Sequence, residues 1–169
     1  PNVPDIQLNL GNALLGLNRP QDAVSAYRTA IGFNENFALA HANLGTALKN
    51  AGRLEEAIAM HTRAVDLRPE VASFHVGLGT ALLESNRAEE AIQAYRKATE
   101  LDRAHGPAYV NLGIALIDQN DVAGAISVLR RAVALGCDPA SHLGSLDYAT
   151  AQKNLGLCML MDGDLAAGT

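Results

Sequence analysis

The side chains equipped for chemistry are few and scattered. The 169 residues include five histidines and two cysteines, Cys137 and Cys158. His41 and His75 stand 34 residues apart in equivalent surroundings, but no cysteine or carboxylate recurs beside them. They are therefore expected to pack rather than to ligate a metal. Gly77-Leu78-Gly79 lacks the third glycine of a dinucleotide fingerprint, and Glu55-Glu56 and Glu89-Glu90 open apolar helical runs, where carboxylates suit the positive end of a helix dipole. No catalytic constellation emerges; no cofactor or metal is expected, and the chain itself is not expected to be an enzyme. One polar set does repeat. Asn9, Asn43, Asn111 and Asn154 each stand immediately before a Leu-Gly pair, with Gly77 in the corresponding place of the remaining copy. A carboxamide both donates and accepts, which suits it to a peptide backbone amide.

The elements that carry these asparagines recur with them. Leu10-Gly11, Leu44-Gly45, Leu78-Gly79 and Leu112-Gly113 step by 34 residues, as do Leu14, Leu48, Leu82 and Leu116. Two alanine columns keep the same step: Ala23, Ala57, Ala91, Ala125 and Ala30, Ala64, Ala98, Ala132. Fixed-period self-similarity of this kind marks a repeat architecture. Within a unit the apolar residues follow helical spacing, as in Leu44, Ala47, Leu48, Ala51 and then Leu54, Ala57, Ile58, His61, Ala64, Val65. Each unit is therefore two amphipathic helices. Asn18, Gly52, Asn86, Asn120 and Gly163 fall between them, residue types that accept the left-handed conformation ending a helix. A fifth copy begins at Leu155-Gly156, 43 residues after Gly113 and so nine residues late.

These columns resemble the tetratricopeptide repeat family, whose units are helix-turn-helix pairs of about 34 residues. The second unit is the nearest to the pattern, with Leu44, Gly45, Leu48, Gly52, Ala57, Ala64 and Pro69. The slot often filled by Trp or Tyr holds Gln7, His41, His75, Tyr109 and Gln152. The resemblance implies an all-α, right-handed superhelical solenoid with helices near 4–17, 20–33, 38–51, 54–67, 72–85, 88–101, 106–119, 122–135 and 148–162. A single array spans 1–169: repeats at 4–37, 38–71, 72–105 and 106–137, an insertion at 138–147 and a partial repeat at 148–169. In the insertion, Asp138-Pro139 reads either as a helix start that Gly144-Ser145 interrupts before Asp147 caps the next helix, or as the start of one long helix from Pro139. Pro1 lies two 34-residue steps before Pro69, and residues 164–169 suffice for only the start of a second helix, so a longer native array is expected on both sides.

Composition narrows the partner. Thirteen basic against 18 acidic residues give a net charge of −5, and no unit forms a charged block, which argues against a phosphate backbone. No window approaches the ~18 consecutive apolar residues of a membrane span, so no membrane insertion is expected. With two cysteines and no N-glycosylation sequon, a reducing cytoplasm is the expected compartment and a bacterial periplasm the alternative.

In the resembled family the first helices line a concave groove. The implied peptide-binding residues are Asn9, Asn12, Asn43, Thr46, Lys49, Asn50, Val76, Thr80, Val110, Asn111, Ile114, Asn154 and Leu157. The asparagine column is similar to that in the repeat array of O-linked N-acetylglucosamine transferases, broken here at Gly77. The clamp for a C-terminal carboxylate is missing, since its basic pairs are replaced by Leu39 with Asn43 and by Ser73 with Gly77. The function implied is a non-catalytic scaffold holding an extended peptide segment of a partner protein. The alternatives are the substrate-targeting array of a larger enzyme, such as a glycosyltransferase, and a module that self-associates through its terminal repeat faces.

Overall fold

The computed structural model describes residues 3–136 and 145–167, and all regular structure among them is α-helical. The helices are α1 Val3–Gly16, α2 Pro20–Phe33, α3 Ala38–Asn50, α4 Leu54–Leu67, α5 Ala72–Glu84, α6 Ala88–Leu101, α7 Gly106–Asp118, α8 Val122–Gly136 and α9 Ser145–Ala167. The chain divides into two compact units, Pro1–Asn86 and Arg87–Thr169. In the first, α1 to α5 pack consecutively, with α1 also touching α3 and α3 touching α5. In the second, α6 to α9 pack consecutively and α7 also touches α9.

The hairpin turns follow from one residue each. Asn18, Gly52, Asn86 and Asn120 take φ of 55°, 77°, 60° and 59°, the left-handed region that Gly and Asn tolerate best. At the first turn this aims the Asn18 N–H at the Leu15 carbonyl and the Arg19 N–H at the Leu14 carbonyl, both at 2.9 Å. Two carbonyls left over at the end of α1 are thereby satisfied. The second and fourth turns repeat the pattern, with Arg53 bonded to Leu48 and Asp121 to Leu116, each at 2.9 Å.

Second helices then start in two ways. Arg19, Arg53 and Arg87 hold the carboxylates of Asp22, Glu56 and Glu90 three residues on, at 2.6–2.7 Å. Asp121 instead caps directly, accepting the Gly124 N–H at 2.9 Å.

Gly163 departs from the turn column. It lies inside α9, which also begins at Ser145 rather than after Asp147. Glycine permits a left-handed turn without imposing one, and no proline follows to stop the helix. The expected features at 137–144, including the Asp138-Pro139 start, lie outside the described residues.

The two alanine columns form the seams. All eight are fully buried, and methyl side chains let paired helices approach closely. The Leu-Gly column works with a bulky column on the second helix. A Cβ placed on Gly11 would collide with the Tyr27 ring, and one placed on Gly113 would lie 2.6 Å from Leu129 Cγ. His61 is gripped from both sides: a Cβ on Gly45 would lie 2.7 Å from its Cδ2, and one on Gly77 would lie 2.6 Å from its Cε1.

Because the imidazole is held between α3 and α5, it has nowhere to retreat from an added methyl group. Gly45→Ala should therefore destabilise the fold by ~1–3 kcal/mol, measured by urea unfolding. The added His61→Ala change should recover part of the loss, and equal stability of wild type and Gly45→Ala would refute the close approach.

Candidate functional site

Within each compact unit the first helices touch, α1 with α3 and α3 with α5 in one, α7 with α9 in the other. In the first unit Asn9, Asn12 and Asn50 are exposed, while Asn43, Thr46, Lys49, Val76 and Thr80 are half-buried. Three of these groups are tied to neighbouring helices. Tyr27 Oη donates to Asn12 Oδ1 at 2.8 Å, and Asn43 Nδ2 donates to the same oxygen at 2.9 Å. Lys49 Nζ on α3 meets Glu84 Oε1 on α5 at 2.9 Å. The hydroxyls of Thr46 and Thr80 donate to the carbonyls of Ala42 and Val76 one turn back.

Tyr27 was not among the sequence-derived site residues. It is fully buried, with its ring against Gly11. Burial pushes its hydroxyl up to about 12, opposed in part by a hydrogen bond with Asn43. The proton therefore stays on the oxygen at any ordinary pH. The legible signal was the column Tyr27, His61, Tyr95, Leu129, which steps by 34 residues opposite the glycines.

His61 explains the break at Gly77. Its ring occupies the space into which a side chain at position 77 would project, so Asn is excluded there on steric grounds. Only 2 % of His61 is exposed and its Nδ1 has no partner. Burial, and secondarily the charge of Lys49, lower its pKa to about 4.

In the second unit Asn111 and Ile114 on α7 and Asn154 on α9 are half-buried, and Leu157 is 48 % exposed. Val110 is not a surface residue. It is 2 % exposed, because its side chain turns into the packing between helices.

His41, His75, His105 and Cys158 have structural tasks. His41 and His75 are buried, and each Nε2 bonds a backbone carbonyl in the preceding loop: Glu35 at 2.9 Å and Pro69 at 2.8 Å. A carbonyl can only accept, so Nε2 carries the proton in both. His105 caps α7 by accepting the Ala108 N–H. Cys158 is fully buried, which pushes its thiol pKa up. Among the described residues no three His, Cys, Asp or Glu side chains converge on a metal-sized site, and no helix is long and apolar enough to cross a membrane.

The family model for the tetratricopeptide repeat matches residues 8–60, 42–107, 77–142 and 110–168. The chain belongs to the tetratricopeptide repeat family, whose members are protein-interaction modules. Solved structures agree on the fold. The MamA protein superposes with a TM-score of 0.78 at 20 % identity, covering 95 % of this chain and 83 % of that one. YrrB, described as a TPR protein with an unusual peptide-binding site, gives 0.70 at 22 % identity, covering 93 % and 76 %. The Sgt2 TPR domain from Aspergillus fumigatus gives 0.68 at 18 % identity, covering 77 % and 82 %. No curated protein matches.

The buried imidazole makes the fold acid-sensitive. Its folded pKa of about 4 lies below the ordinary 6.5, so the unfolded chain takes up the proton first as pH falls. Its neutral form supports the fold fully above pH ~6.5, and ~3 kcal/mol of that support is lost on the way to pH ~4. Urea unfolding of wild type and His61→Leu at both ends of that window should show a steeper decline in wild type. Leucine is the residue Leu129 supplies in the same column. Parallel declines would mean that His61 is not desolvated.

Proposed function

We propose that this chain is a non-catalytic scaffold that holds an extended peptide segment of a partner protein across its first helices. The observation that carries this reading is the carboxamides on the first helices of each compact unit: Asn9 and Asn12 on α1 and Asn43 on α3 in one, Asn111 on α7 and Asn154 on α9 in the other. Adjacent helices pack ~8–10 Å apart and an extended chain advances ~3.3 Å per residue. One asparagine therefore meets about every third residue of the ligand. Amide groups recognise the backbone common to all peptides, while Val76, Ile114 and Leu157 offer apolar surface to its side chains. The similarity to YrrB, a peptide-binding member of the family, supports the same use of the fold.

Peptides selected from a random-sequence library against the whole chain supply the probe. The Asn43→Ala, Asn111→Ala double variant should bind every selected peptide more weakly, by ~0.5–1.5 kcal/mol per lost amide pair, while circular dichroism remains unchanged. Ile114→Ser should instead penalise peptides unequally, according to their apolar side chains. Wild-type affinity in the double variant would exclude reading through the asparagines.

A further inference from the structure

The unit Pro1–Asn86 holds a cleft of about 330 Å³ between two second helices, away from the asparagines. Helices α2 and α4 each pack on α3 but not on one another, which leaves α3 as the floor between them. Leu44 and Leu48 line that floor, Ile31 stands on the α2 wall, and Ala59 and Met60 stand on the α4 wall. His41 adds its ring, with Nε2 committed to the Glu35 carbonyl and an unpartnered Nδ1 buried beyond the reach of solvent. Neither nitrogen offers a donor to a ligand. Two exposed charges complete the lining, Arg28 on α2 and Glu56 on α4. Glu56 is already engaged, since Arg53 holds its Oε1 at 2.7 Å and its Oε2 at 2.6 Å. Arg28 reaches the same carboxylate only at 3.4 Å, and an exposed pair of that length holds a guanidinium weakly. An apolar cleft is thus bordered by a cation whose fork of donors is largely unused.

We propose that this cleft is a binding site for a small monocarboxylic acid with an apolar body, the body resting on Leu44 and Leu48 and the carboxylate taken by Arg28. Guanidinium and carboxylate match in a two-bond fork, and the aliphatic walls remove a hydrocarbon body from water. The volume is at the small end of ligand cavities, which run from about 300 to 1,000 Å³. Glu56 beside the guanidinium sets the charge of the ligand. A carboxylate meets less repulsion from it than a phosphate, which carries about two negative charges at neutral pH. The arginine is not a feature of every repeat. One 34-residue step on, Thr62 and Gln93 take the places of Arg28 and Ala59, which withdraws the cation and lengthens the second side chain. None of the residues assigned to the peptide face lines the cleft, so the two sites are separate.

Sodium octanoate titrated into the isotope-labelled whole chain is the probe, with octanamide and acetate as its uncharged and shortened counterparts. Octanoate should shift the backbone amides of Ile31, Leu48 and Met60 saturably. Octanamide should do so about tenfold more weakly, and acetate should not saturate. Arg28→Gln should lower octanoate affinity about tenfold and leave octanamide unaffected, while Arg28→Lys should bind octanoate with intermediate affinity. Ala59→Gln, which brings in the residue found one repeat on, should weaken both ligands by narrowing the cleft. Because positions 28 and 59 are exposed, each variant without ligand should melt at the wild-type temperature. Equal affinity for octanoate and octanamide, or wild-type octanoate binding in Arg28→Gln, would overturn the role of Arg28 and with it the proposal. Shifts confined to other helices, or no saturable shift at all, would remove the site. Tighter binding of a tripeptide ending in leucine than of octanoate would overturn the assignment to a small molecule.

Discussion

The close approach of a glycine on one helix to a bulky side chain on its neighbour sets the spacing on which everything else in this molecule depends. Gly11 receives Tyr27, Gly113 receives Leu129, and Gly45 and Gly77 together enclose His61. A methyl group at any of these glycines would overlap the neighbouring side chain. Interior packing is as dense as an organic crystal, so such overlaps move helices rather than vanish into slack. The alanine columns complete the seams, and their methyl groups are fully buried in every unit.

The same contacts determine where polar groups can go. Tyr27 is long enough to pass Gly11 and deliver its hydroxyl to Asn12, which joins the second-helix column to the first helices. His61 fills its slot without finding a partner for Nδ1, and the result is a desolvated base instead of a hydrogen-bonded one. Both occupy one column of the repeat. One variation in that column thus gives a face that carries an amide at Asn43, and the other a face that carries bare backbone at Gly77.

Interaction modules of this family keep the framework and vary the face. Here the framework residues are apolar or small, and the face is built from uncharged amides and hydroxyls with Lys49 already paired to Glu84. Such a surface exerts little long-range pull on charged groups.

Periodicity made the helices and hairpins legible before any coordinates. A recurrence of small, apolar and turn-forming residues can be satisfied only by repeated helix pairs, and Asn18, Gly52, Asn86 and Asn120 took the left-handed turns that their types allow. Gly163 shows where that reasoning stops, since the same residue type continued the helix. The asparagine column was equally visible, but Tyr27, Asn12 and Asn43 meet from three different helices, and linear spacing does not encode the tilt that brings an oxygen within 2.8 Å of another. The family resemblance placed Val110 on the groove face, yet it is buried. The sequence alone therefore determined the repeat, the turns and the small-residue seams, because these are local or periodic properties of the chain. The orientation of the amides, the desolvation of His61 and the reason for the break at Gly77 were decided only by tertiary packing, because each depends on distances between helices that the sequence specifies only collectively.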